Sequence, residues 1–241
     1  MIGLIVLSMA MTGLIDVVMS HPPGYITMWL RGQDDMIYIP PGPFLTGDVP
    51  TIKKFNVLPQ HTVDLHGFYI DPHLVTNARY ALFVAATSHR APAHWKDRQP
   101  PAGQESYPVF NVNKQDADAY AAWAGKRLPT EEEWEKAARG TDGRKFPWDG
   151  PAGRKPDPLH PVDSFPEDAS PYGVRDMLSY GMEWTSTLLS STPTEDPVYN
   201  AIYVAKGFTT YQRNAVHRNM VVIKTGEVVL LRCAADVPST P

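Results

Sequence analysis

The stretch Gly125-Lys126-Arg127-Leu128-Pro129-Thr130-Glu131-Glu132-Glu133-Trp134-Glu135-Lys136-Ala137-Ala138-Arg139-Gly140 decides how the rest of the chain is read. Thr130 stands at an N-cap, and Glu133, three residues on, completes a capping box that satisfies two orphan backbone donors reciprocally. Carboxylates fill the first turn, and Lys136 and Arg139 the last, in keeping with the helix macrodipole. Gly140 occupies the place where a left-handed residue closes a helix. Trp134, Ala137 and Ala138 recur at i, i+3 and i+4, which gives one apolar face.

Two more helices are legible upstream. Thr76 caps the first, whose apolar stripe is Tyr80, Phe83 and Val84. The second runs from about Lys114 to Trp123, with Ala117, Tyr120, Ala121 and Ala124 inward. A polar loop, Ser88 to Gln104, separates them, and turn signals dominate from Gly140 to about Pro171. Val221-Val222-Ile223 and Val228-Val229-Leu230-Leu231 read as strands, joined by Lys224-Thr225-Gly226-Glu227 as a tight hairpin. The 24 prolines are scattered through the chain, which suits short elements and long loops. Few helices, short strands and long loops indicate an α+β fold.

Composition narrows the function. The net charge is -4 and there is no basic run, so nucleic acid is not an expected partner. Cys233 is the single cysteine, which rules out an intrachain disulfide. No Gly-x-Ser-x-Gly, phosphate-cradling Gly-rich loop or His-Glu-x-x-His is present. Glu131-Glu132-Glu133 is a helix N-terminus rather than a carboxylate pair for acid–base work.

The Gly125–Gly140 string closely resembles the signature of the formylglycine-generating enzyme family, also called the sulfatase-modifying-factor domain. The resemblance extends from Met36 to Asp236. Met36-Ile37-Tyr38-Ile39-Pro40-Pro41-Gly42-Pro43-Phe44 looks like the family's opening strand and turn. His61-Thr62-Val63-Asp64-Leu65 with Gly67-Phe68-Tyr69-Ile70-Asp71 looks like its second hairpin. Leu74-Val75-Thr76-Asn77 resembles Glu-Val-Thr-Asn, with Leu74 in place of the acid. The run from Tyr172 to Met177 into Glu183-Trp184-Thr185 resembles the segment ending Trp-Glu-Trp-Thr, and Leu230 to Asp236 resembles the closing Gly-Phe-Arg-Cys-Ala-Ala strand. The resemblance implies a C-type-lectin-like fold, with the globular domain over 36–238.

The chemistry that the resemblance implies is altered in this chain. The family oxidises through a cysteine pair that binds Cu(I), a metal that selects soft thiolates. The matching stretch, Lys206 to Asn219, contains no cysteine, and Cys233 matches the cysteine of the closing strand. Formylglycine generation by the copper route is therefore not expected. In the family's calcium-associated segment Tyr180 and Met182 replace Asn and Trp, while Glu183 remains. Glu183 is the candidate calcium ligand, set against a reading as a structural hydrogen-bonding carboxylate; no cofactor is required. Relatives that form sulfur–carbon bonds hold non-haem iron with histidines of a separate helical domain, which this sequence does not contain. A histidine metal site would be built on His89 and His94, five apart in one loop, with a further ligand such as His61 or His217, set against a reading as solvated or hydrogen-bonding loop histidines.

At the N-terminus, Gly3 to Met19 is almost wholly apolar, interrupted by Asp16, and its length is at the low edge for a membrane span. No Lys or Arg precedes it and no small-x-small cleavage site follows, which argues against a cleaved signal peptide. Residues 1–20 are expected to form a membrane-anchoring apolar helix, with a cleaved signal or a helix docked on a protein as alternatives. Residues 21–35 form a linker. An uncleaved helix with its start inside places the domain outside the cytoplasm, periplasmic or extracellular.

Three functions are consistent with these readings. The first is a non-catalytic accessory or scaffold subunit of a membrane-associated complex, with other protein subunits as partners. The second is an oxidoreductase of the same superfamily with a non-thiolate metal site. The third is a lectin-like ligand-binding module. The expected binding surface comprises Tyr180, Trp184, Tyr211, Arg213, His217 and Arg218, since aromatic and Arg side chains dominate recognition surfaces.

Overall fold

The protein is described from a computed structural model over residues 35–48, 58–148, 160–190, 202–207, 219–222 and 229–238. The apolar segment Gly3–Met19, the linker 21–34 and the stretch 208–218 lie outside the described residues. Among the described residues no helix is long and apolar enough to cross a membrane.

Among the described residues three α-helices and nine short strands alternate with long loops. The helices are α1 (Asn77–Thr87), α2 (Lys114–Trp123) and α3 (Glu131–Arg139). Each starts where its capping chemistry puts it. The Thr76 hydroxyl accepts from the Arg79 N–H, and Thr130 and Glu133 form the capping box of α3. A second capping box, Asn113 with Asp116, starts α2; its Asn-x-x-Asp spelling departs from the usual Ser/Thr-x-x-Glu pattern. Gly140 ends α3 at φ 71°, a conformation that disfavours any side chain, and a Cβ there would lie 3.1 Å from Pro171.

The strands are β1 (Ile37–Ile39), β2 (Gly42–Thr46), β3 (His61–Leu65), β4 (Phe68–Ile70), β5 (Met182–Ser190), β6 (Ile202–Gly207), β7 (Asn219–Val222), β8 (Val229–Leu230) and β9 (Ala234–Asp236). They form three sheets, ordered β1-β4-β9, β2-β3 and β7-β6-β5-β8. Two expected pairings are corrected by this order. The segments expected as a second hairpin, β3 and β4, do not pair with each other: β4 joins β1 and β3 joins β2, both antiparallel. The expected hairpin strands, β7 and β8, do not pair among the described residues either: β7 joins β6 while β8 runs parallel to β5 at the opposite edge, and the turn 223–228 lies outside the described residues. The turn signal is local, but β8 is committed elsewhere. Val229 and Leu230 are buried, and the chain continues through the core to β9, which pairs with β4 in another sheet.

The core has two main parts. One gathers α1 and α2 against the four-stranded sheet, with Tyr80, Phe83, Tyr120, Trp95, Trp184 and Leu231. The other packs Trp134, Ala137 and Ala138 of α3 on Ile39, Phe68 and Ile70. Helix α3 is buried on nearly every side, including Glu131, Glu133, Glu135, Lys136 and Arg139. Its charges are therefore answered inside the protein. Glu135 takes Lys206 at 2.7 Å, Arg139 and the Gly47 N–H at 2.9 Å, and Lys136 donates to the carbonyls of Pro40 and Gly42, each at 2.8 Å.

Thr130→Ala removes one half of the α3 capping box and is expected to cost about 1 kcal/mol, read from urea unfolding at constant m-value.

Candidate functional site

Glu183 enters from β5 and Arg232 from the segment between β8 and β9, and the two meet with essentially no exposure. Arg232 Nε donates to Glu183 Oε2 at 2.6 Å and Nη2 to Oε1 at 3.0 Å, a fork that only a planar guanidinium makes. Trp134 Nε1 donates to the same Oε2 at 2.9 Å. Two of the three remaining guanidinium hydrogens reach the carbonyls of Asp71 and Arg175 at 3.3 and 3.0 Å. Both oxygens of Glu183 are thus engaged, and a calcium ion at Glu183 would have to displace a guanidinium. These contacts are those of a structural hydrogen-bonding carboxylate. Among the described residues no group of three or more His, Cys, Asp or Glu is placed to hold a metal ion.

The expected binding surface is not assembled from its first two members. Tyr180 and Trp184 are each 2% exposed. Tyr180 packs against Phe165 and donates its hydroxyl to the carbonyl of Pro161, and Trp184 Nε1 donates to the carbonyl of Val112 at 3.0 Å. An amphipathic ring with its polar tip satisfied inside the protein is a core residue. Tyr211, Arg213, His217 and Arg218 lie outside the described residues.

Cys233 is fully buried. Its backbone N–H donates to Asp71 Oδ2 at 2.8 Å, and Asp71 is ion-paired with Lys126. Burial pushes the thiol well above its usual range, and the neighbouring Asp71 carboxylate adds to the shift. Cu(I) ligation and nucleophilic attack both need the thiolate, so this environment suits a small apolar core residue.

His89 and His94, neighbours in one loop, do different things. His89 Nε2 lies 2.9 Å from Asp116 Oδ1, while Arg90 grips both oxygens of Asp116 at 2.8 and 2.6 Å. Burial would raise the Asp116 carboxyl, but the Arg90 and His89 hydrogen bonds outweigh it and hold the pKa below its usual value. His94 instead stacks on Phe110, with ring centroids 4.2 Å apart, and neither ring nitrogen has a hydrogen-bond partner. Burial lowers its pKa. His61 Nδ1 sits 2.9 Å from the carbonyl of Pro59.

Two features escaped sequence reading. Asp176 is 1% exposed at φ 65°, with its carboxylate facing the Asp163 N–H; burial, partly opposed by Arg232, raises its pKa to about 6. A small cleft is lined by Asp35, Asp71, His73, Arg79, Tyr120 and Lys126, together with the apolar Pro72, Leu74 and Val75. These residues come from four separate stretches, so only the Asn-or-Asp preference for positive φ could have flagged Asp176, and no local signal marks the cleft.

A domain described as sulfatase-modifying factor enzyme 1-like matches residues 30–234, most of the chain. The chain belongs to this family. Relatives include the formylglycine-generating enzyme of Streptomyces coelicolor, 38% identical over 49% of this chain and 50% of that protein. The hercynine oxygenase of Mycolicibacterium smegmatis is 33% identical over 67% of this chain and 47% of its own length. The inactive Cα-formylglycine-generating enzyme 2 of Mus musculus is 29% identical over 85% of this chain and 87% of that protein. The chain therefore spans about half the length of the first two relatives. PvdO from Pseudomonas aeruginosa shares the fold at a TM-score of 0.65 and 21% identity, covering 84% of this chain and 94% of PvdO.

Two outcomes follow from the buried charges. Glu183→Gln leaves Arg232 charged and half-paired, and is expected to lose about 3–5 kcal/mol in urea unfolding. Asp176 has a folded pKa of about 6 against an unfolded value near 3.9. A raised carboxyl pKa gives stability that is present at low pH and is lost as pH rises through the folded value. Lowering pH from about 7 to about 4 should therefore add ~2–3 kcal/mol from this group. Asp176→Asn tolerates the positive φ and keeps an acceptor, so it should raise the urea midpoint at neutral pH and flatten this dependence.

Proposed function

We propose that this chain is a non-catalytic formylglycine-generating-enzyme-like domain that serves as an accessory or scaffold subunit of a larger, membrane-associated complex. The observation that carries the reading is Cys233. The sole thiol of the chain is fully buried and has its pKa raised well above the usual range, and 206–219 offers no second cysteine. Two thiolates are what the copper route needs, and one sealed thiol cannot supply them. The relative named inactive, which aligns along most of both chains, supports a family member without that activity. The strings that carry membership, around Trp134, Glu183, Trp184 and Arg232, serve packing and hydrogen bonding, which lets a fold outlast its chemistry.

The apolar stretch Gly3–Met19 motivates the tether and the extracytoplasmic placement of the domain. Other protein subunits are the natural partners of such a domain. A superfamily oxidoreductase with a histidine metal site is the second reading; it is supported by the hercynine oxygenase relative and would have to be built around His217.

The test is detergent purification from the native membrane, with co-purifying chains identified and metal quantified on the same sample. The proposal expects stoichiometric partner chains and no turnover of a cysteine peptide from a sulfatase to formylglycine when Cu(I) is added. A lone chain with one redox metal and turnover would sink it. Loss of membrane association on deleting residues 1–20 checks the tether separately.

A further inference from the structure

The small cleft brings the donors Arg79, Tyr120 and Lys126 together beside the apolar Pro72, Leu74 and Val75. Its floor includes Tyr120, 2% exposed, whose hydroxyl makes no hydrogen bond among the described residues. Lys126 and Asp71 face each other in the floor as an ion pair, with side chains 2% and 11% exposed. Asp71 also accepts the Cys233 N–H, so both of its oxygens are occupied. Arg79, on the first turn of α1, stands beside them and is held by one contact, Nη2 to Asp35 at 3.3 Å. Asp35 is the first described residue, and its side chain is 59% exposed.

Charge and size define what fits. Asp71 answers Lys126, which leaves Arg79 answered by Asp35 alone. An exposed single-contact ion pair at that distance is worth little and exchanges readily with solvent. The Tyr120 side chain lines the cleft and its hydroxyl is a donor that no described residue uses, and an anionic acceptor suits it best, because hydrogen bonds to charged groups are the strong ones. The cleft has about 10 Å³ of room, the space of about one water molecule. A planar carboxylate tip suits that space if Asp35 withdraws, whereas a bulky ring does not.

We propose that this cleft is a carboxylate-binding site, formed by Arg79, Tyr120 and Lys126, which Asp35 occupies in part when no ligand is bound. The incoming carboxylate replaces Asp35 on Arg79 and accepts the Tyr120 hydroxyl. The site stands whether or not the domain is catalytic.

The test uses the full chain, titrated with sodium acetate and with sodium chloride at matched ionic strength, by calorimetry and by melting temperature. The expected result is a saturable rise in melting temperature with acetate and none with chloride. Asp35→Asn, which removes the internal competitor, should tighten acetate binding severalfold. Tyr120→Phe and Arg79→Gln should each weaken it by about tenfold or more, with circular dichroism confirming that each variant is folded. Triglycine compared with triglycine amide identifies the source of the carboxylate: much tighter binding of the acid than of acetate indicates a peptide terminus, and equal binding a small free acid. The proposal is overturned if neither wild type nor Asp35→Asn distinguishes acetate from chloride. It is equally overturned if Tyr120→Phe and Arg79→Gln bind acetate as the wild type does.

Discussion

The structure depends on one buried ion pair, Glu183 with Arg232. Taking both charges out of water is expensive, and the pair persists because every polar atom in it has a partner. Arg232 forks onto Glu183 and reaches two backbone carbonyls, while Trp134 closes the remaining position on Glu183. Those contacts join α3, β5, the turn at Asp71, the loop at Arg175 and the segment between β8 and β9. The sheets of this fold are small, and none of them could organise the domain alone. A fully satisfied polar knot supplies the registry that short strands lack. A second knot, Glu135 with Lys206 and Arg139, does the same between α3, β6 and the β2 turn at Gly47.

This arrangement gives the strings that mark the family a structural role in this chain. The residues that identify the family in this chain form its framework: Thr130 and Glu133 cap a helix, Trp134, Glu183 and Arg232 tie the core, and Trp184 fills it. None of these roles needs a metal or an exposed thiol. Cys233 survives on different terms, as a small buried side chain beside Asp71.

Much of the fold was legible because its signals are local. The α3 string specified its cap, its apolar face and its end, and the Thr76 and Lys114 helices fell where their stripes predicted. What was not legible is non-local. β3 and β4 read as a hairpin, and β7 and β8 as another, because a turn signal says nothing about which edge a strand joins. Lys136 and Arg139 read only as last-turn charges that suit the helix macrodipole; the partners that show Glu135 and Lys136 to be buried, Lys206 and the Pro40 and Gly42 carbonyls, lie many residues away. Tyr180 and Trp184 read as recognition residues for the same reason, since an aromatic ring with a polar tip looks alike at a surface and in a core. The cleft could not be seen at all, because its lining comes from distant stretches that only the fold brings together.

The central claim is that this domain keeps the family's framework without its thiolate copper chemistry. The most direct measurement is a Cu(I) titration of the purified full chain under anaerobic conditions, in competition with a chromophoric Cu(I) chelator, repeated on Cys233→Ala. The account predicts that the chelator keeps the copper and that the two proteins behave alike. One equivalent of Cu(I) taken from the chelator by the wild type, and lost in Cys233→Ala, would contradict it.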